Sequence, residues 1–104
     1  MQSLQQTLEH LLNGAALSEA EAGRLLEQLT AADVAPALAG ALLAALRAKG
    51  VVAAELRGFA GAMRSLARKP ELPADLDAID IVGTGGDFSG SLNLSTGAAL
   101  LAAS

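Results

Sequence analysis

Asp80-Ile81-Val82-Gly83-Thr84-Gly85-Gly86-Asp87-Phe88-Ser89-Gly90-Ser91-Leu92-Asn93-Leu94-Ser95-Thr96 holds nearly every residue of this chain that suggests chemistry. Ile79, Ile81 and Val82 lead into it as an apolar run, which predicts a short buried strand. Four glycines follow within eight residues, interleaved with Thr84, Asp87 and Ser89. From Gly97 to Ala103 the pattern turns helical. Strand, glycine-rich loop and helix start form the layout of a phosphate-binding turn. Glycine reaches positive φ without steric cost and lets backbone N–H groups approach an anion. The helix start adds N–H groups and the positive end of a dipole.

Neither common phosphate motif fits. No lysine follows Gly90, so there is no G-x-x-x-x-G-K-[ST], and Phe88 stands where G-x-G-x-x-G needs its third glycine. Asn93, Ser95 and Thr96 place three polar side chains at the helix entrance, suited to ribose hydroxyls and phosphate oxygens. Ser95 or Thr96 can equally serve as a plain helix cap. Asp87 can orient a ribose hydroxyl or bind magnesium, directly or through water.

Upstream, Leu4, Leu8, Leu11 and Leu12 recur at helical spacing, and Asn13-Gly14 ends that helix. Ser18 and Glu21 form a capping box for a second helix carrying Leu25, Leu26 and Leu29 inside. Asp33 is the expected cap of a third. Val34 to Leu46 has no charge over 13 residues, too short to span a bilayer, which needs about 20. A helix apolar nearly all round predicts burial on several sides, with part of this surface meeting a second subunit. Arg47 and Lys49 suit its C-terminus and Gly50 its C′ position. A fourth helix is expected from about Ala53 to Arg68, with Leu56, Phe59, Ala60, Met63 and Leu66-Ala67 as its apolar stripe. Arg57, Arg64 and Arg68 share roughly one face, read as solvated. Lys69-Pro70-Glu71-Leu72-Pro73-Ala74 is a proline-punctuated linker.

The expected architecture is mainly α. Residues 1–69 form a four-helix domain, 70–77 a linker, and 78–104 the first strand-loop-helix unit of a parallel α/β domain. A lone strand has no ladder partner within the chain, so the expectation is that this is the opening piece of a longer domain.

The chain has 104 residues, 52% of them hydrophobic and 17% charged, a composition that folds. It has no cysteine, which excludes disulfides, thiolate metal sites and cysteine nucleophiles and fits a reducing cytoplasm. The start lacks the basic region of a signal peptide. A net charge of −4 and only two aromatics, Phe59 and Phe88, argue against nucleic-acid binding. His10 has no acidic or serine partner nearby in sequence and reads as a solvated helix residue.

Asp80-Ile81-Val82-Gly83-Thr84-Gly85-Gly86-Asp87, followed by Asn93-Leu94-Ser95-Thr96, closely resembles the signature of the anthranilate phosphoribosyltransferase family, and the residues upstream resemble that family's N-terminal helical domain. The resemblance implies transfer of a phosphoribosyl group from phosphoribosyl pyrophosphate to anthranilate, with release of pyrophosphate. It implies that Gly83, Gly86 and Asp87 contact the donor, and that Ser91, Asn93, Leu94, Ser95 and Thr96 complete the pyrophosphate cradle. Gly83 would border the anthranilate site and Ser95 would bind magnesium. No residue here is assigned as catalytic. A homodimer through the helical domain is expected, with no membrane or nucleic-acid partner.

Phe88 departs from a frequent glycine of the family, Ser91 from a frequent threonine, and Val52-Ala53 from a capping Thr-Pro pair, so a frayed fourth-helix start is expected. The family's later Lys-His-Gly-Asn segment, acidic metal pair and anthranilate-binding arginine have no counterpart before Ser104. The chain alone is therefore expected to be inactive, holding the leaving-group half of a site. Two other readings stand beside this one. Pyrimidine nucleoside phosphorylases also place a helical domain before a glycine-rich loop, but theirs carries a lysine and histidine missing here. The other is a non-enzymatic helical dimerisation module with a vestigial loop.

Overall fold

A computed structural model describes residues 2–104 except Thr84, Gly86, Asp87, Ser89 and Ser91. Five helices are present among the described residues: α1 (Leu4–Leu12), α2 (Glu19–Leu29), α3 (Pro36–Lys49), α4 (Ala53–Leu66) and α5 (Leu94–Ala103). The chain divides into two compact units, Met1–Lys69 and Pro70–Ser104. None of the described helices is long and apolar enough to cross a membrane.

In the first unit, local chemistry sets where each helix begins. Ser3 caps α1 and Gln6 reaches back to the Ser3 N–H at 2.8 Å. Ser18 and Glu21 do the same for α2, with the Ser18 N–H donating to Glu21 at 2.8 Å. That bond, with the one the Ser18 hydroxyl adds, holds the Glu21 carboxyl below its ordinary range. Asp33 does not cap α3. The helix starts at Pro36, after Ala35, because proline's fixed φ and missing N–H suit a first helical position. Gly50 ends α3 at φ +88°. The start of α4 is not frayed: Val52 has no side-chain acceptor, but Glu55 accepts its N–H at 3.0 Å.

Helix α2 packs mainly on α4, and α1 on α3, with a smaller contact between α1 and α2. Leu11, Leu17, Ala22, Leu25, Leu42, Ala45 and Leu46 form the buried core, flanked by half-buried Leu4, Leu8, Leu29, Leu38 and Phe59. Leu12, read from the sequence as inward, is exposed. Helix α3, uncharged as far as Leu46, buries one face through Leu42, Ala45 and Leu46 and leaves Leu43 58% exposed.

The largest departure from the sequence reading is at α4. Leu56, Met63 and Leu66, three members of its apolar stripe, are exposed, while Glu55, Gly58 and Ala62 are buried. Two observations explain the choice of face. Gly58 lies against the α2 backbone: a Cβ there would collide with the Glu19 carbonyl and come within 2.8 Å of Ala22 Cβ and 3.0 Å of the Gly23 nitrogen. Helices that approach this closely need small residues at the crossing.

Glu55, one turn earlier, has no exposed surface. Its Oε1 accepts the Leu17 N–H at 2.9 Å, its Oε2 the Val52 N–H at 3.0 Å, and Lys49 Nζ lies 2.9–3.0 Å from both oxygens. Burial pushes the Glu55 carboxyl up, but the two N–H donors and the ammonium outweigh it and hold the group below its ordinary value. A polar residue thus occupies the interior because every lone pair that matters is matched. Arg57 pairs with Glu19 at 3.0 Å on the exposed side of the same helix pair, where such a bridge contributes little.

In the second unit α5 is the only helix among the described residues. Residues 78–83 carry no strand: a ladder needs a second strand, and none lies among the described residues. Ile79, Asp80 and Ile81 instead border a shallow cleft with Ala99, Ala102 and Ala103 of α5.

Candidate functional site

The N-terminus of α5 organises the loop. Helix formation begins at Leu94, three residues before the Gly97 start read from the sequence. Asn93, rather than Ser95 or Thr96, is the cap: its Oδ1 accepts the Thr96 N–H at 3.2 Å. The Ser95 hydroxyl donates to the same oxygen at 3.4 Å. With Asn93 as the cap, Ser95 and Thr96 fall in the first turn, where N–H groups lack intrahelical acceptors and the dipole favours an anion. Helix α5 carries no charged side chain of its own, so that polarity is not cancelled locally.

Gly83 is brought to this helix end. A Cβ added at Gly83 would sit 3.8 Å from the Ser95 Oγ. The two ends of the loop therefore meet, and Gly83, Asn93, Ser95 and Thr96 form one cluster of backbone and side-chain polar groups. Leu94 contributes its position as first helical residue, and its apolar side chain is 70% exposed. Gly86, Asp87 and Ser91 lie outside the described residues.

Between the meeting ends, Gly85 and Gly90 adopt φ of +69° and +62°. This is the left-handed region in which glycine carries no steric cost. Phe88 shares that region at φ +53° and is 99% exposed. An L-residue pays about 1–2 kcal/mol to sit there. No pattern in the sequence signals that a phenylalanine takes this conformation.

As oxygen donors, Ser95 Oγ and Asn93 Oδ1 suit a hard divalent cation whose charge is balanced by a phosphate ligand. Among the described residues no group of three His, Cys, Asp or Glu side chains is gathered to hold a metal by itself.

Three curated relatives are similar along most or all of the chain. The anthranilate phosphoribosyltransferase of Methylobacterium nodulans is 47% identical over 104 residues, which is 100% of this chain and 30% of that protein. The anthranilate phosphoribosyltransferase of Prochlorococcus marinus is 45% identical over 101 residues, 97% of this chain and 29% of its own length. That of Rhodospirillum rubrum is 47% identical over 90 residues, 86% and 25% respectively. The chain thus spans under a third of the length of these relatives. No solved structure matches it significantly. Residues 5–67, covering α1 to α4, match the helical bundle domain of a glycosyl transferase family, and the chain belongs to that family.

Proposed function

We propose that this chain supplies the N-terminal part of an anthranilate phosphoribosyltransferase and that its glycine-rich loop holds the pyrophosphate end of phosphoribosyl pyrophosphate. The observation that carries the reading is the meeting of Gly83 with Ser95 at the start of α5. It supports an anion site built from the residues that resemble the donor-binding signature. The 30% coverage of the relatives makes the acceptor site a matter for the rest of such an enzyme. In this reading residues 78–104 open its α/β domain.

In the reaction the bond from the anomeric carbon to pyrophosphate breaks as the bond to the acceptor nitrogen forms. Negative charge grows on the departing oxygens. The positive end of the α5 dipole and the loop N–H groups stabilise that charge. The Ser95 hydroxyl would hold a magnesium ion, which would neutralise charge on the leaving group. Asn93 fixes the first turn, so that Ser95 and Thr96 stay aimed at the phosphates. Gly86, Asp87 and Ser91 complete the cradle, and Gly83 borders the acceptor. The working compartment in this reading is the cytoplasm.

A chimera tests the assignment: this chain replaces the aligned 30% of the Methylobacterium nodulans relative, and loss of anthranilate fluorescence is followed with magnesium present. Turnover is expected. Ser95→Ala should raise the Michaelis constant for the donor about ten- to a hundredfold, the loss of one charge-assisted contact, and leave that for anthranilate nearly unchanged. A folded chimera in which Ser95→Ala changes neither constant nor turnover would sink the assignment.

The helical unit is the proposed dimer surface. Leu43 is 58% exposed on the uncharged part of α3 whereas its neighbour Leu42 is fully buried. Leu43→Glu should abolish self-association in sedimentation at micromolar concentration and leave the helical circular dichroism intact. Leu42→Glu should unfold the unit instead, because it buries an unpaired carboxylate. A monomeric parent chain with a cooperative melt rejects the dimer.

A further inference from the structure

Helix α4 has two faces suited to packing, and its own unit uses the smaller one. The buried face consists of Glu55, Gly58 and Ala62. Val52, Leu56, Phe59, Met63 and Leu66 recur at intervals of three and four along another face, a continuous stripe from the cap residue to the last turn. Phe59 is half-buried against the core, and the other four are exposed. Large apolar side chains in line along a helix of roughly 21 Å form a contiguous patch rather than scattered surface residues. Arg57 and Arg64 lie beyond the stripe on the exposed side, while Glu55, the one acid of α4, is buried. The outer surface of α4 is therefore apolar with a cationic border. Two copies of such a face set together about a two-fold axis would gather arginines at one interface. A partner with an apolar stripe and carboxylates at its rim complements it. Leu66 closes α4 just before the unit ends at Lys69. In an enzyme of the relatives' length, of which this chain matches 30%, all that follows is tethered near the end of this stripe, at high effective concentration.

We infer that the α4 stripe is the docking face for an amphipathic segment of the parent enzyme beyond residue 104, apolar on one side with carboxylates at its border. This rests on the proposed reading of the chain as the N-terminal part of a longer enzyme. It names the surface through which the helical unit holds the remainder.

The chimera described above and the 104-residue chain are compared with and without Leu56→Gln/Met63→Gln, a pair that keeps helix propensity. The melting temperature of the 104-residue chain should not move, because both side chains already face water. That of the chimera should fall by roughly 5–10 °C, and amide exchange along α4 should quicken in the chimera alone. Arg64→Glu should also lower the chimera's melting temperature, more at low salt than at high. A chimera indifferent to the double variant or to Arg64→Glu overturns the inference. Equal destabilisation of chain and chimera makes the stripe part of the unit's own core and overturns it. Conversion of a dimer to a monomer by the double variant, seen in sedimentation, assigns the stripe to a second copy and overturns it as well. Turnover by a chimera that the variants leave unchanged keeps the donor-site reading and removes the docking face. A chimera that is destabilised as expected but does not consume anthranilate keeps the docking face and removes the proposed activity. A chimera that does not fold overturns both.

Discussion

Glu55→Ala is expected to cost about 3–5 kcal/mol of helical-unit stability, the usual cost of removing one partner of a buried ion pair. The loss is large because three groups are abandoned at once. Lys49, whose side chain is only 7% exposed, keeps its ammonium but loses both acceptor oxygens on Glu55. The N–H of Leu17 loses its bond at the junction of α1 and α2, and the N–H of Val52 loses its bond at the start of α4. Glu55→Gln keeps the shape and at most one good acceptor, but turns an amide N–H₂ toward donors, so an intermediate loss of about 2–3 kcal/mol is expected. Urea unfolding followed by circular dichroism measures both. An alanine variant within about 0.5 kcal/mol of the parent would show that the pair contributes nothing net.

The same site sets an acid limit. The folded-state value of Glu55 is lowered from its ordinary 4.5, so its contribution is fully present above that pH. It drains away as pH falls through the lowered folded value. Acid unfolding of the parent should therefore be steeper below pH 4.5 than that of Glu55→Gln, which has no proton to gain at this position.

Gly58→Leu is expected to unfold the pairing of α2 with α4 outright, and Gly58→Ala to cost about 1–3 kcal/mol despite the better helix propensity of alanine. The atoms in the way are backbone atoms of Glu19 and Gly23 and the Cβ of Ala22, none of which rotates aside. The control is on the same helix. Gly61 has nothing within 4 Å of an added Cβ, so Gly61→Ala should stabilise by about 0.5–1 kcal/mol. Opposite signs for the same substitution three residues apart, read as shifts in melting temperature, are the expected result. Stabilisation by Gly58→Ala would mean that the helices do not cross there.

Much of this was legible in the order of residues. Local rules bind neighbours to neighbours: Ser18 with Glu21, Gly14 and Gly50 at helix ends, and leucines at helical spacing all act within a few positions. The sequence also singled out the loop, because four glycines followed by Asn93, Ser95 and Thr96 are unusual in a short span. What it could not decide was the face of α4. By composition the leucine and methionine stripe is the natural interior, yet the close crossing at Gly58 and the Lys49–Glu55 pair turn that stripe outward.

The cap of α5 was ambiguous for a similar reason. Asn93, Ser95 and Thr96 are all competent caps, and the structure selects Asn93, whose Oδ1 accepts the Thr96 N–H. The strand expected at residues 79–82 needed a partner strand, a nonlocal requirement that no apolar run satisfies alone. Sequence by itself determined the helices of the first unit and the position of the glycine-rich loop, because these follow from short-range periodicity, capping and glycine chemistry. Only the tertiary structure decided which faces meet and which carboxylate is buried, because close approach and matched charges bring together residues 38 positions apart, as in Leu17 and Glu55.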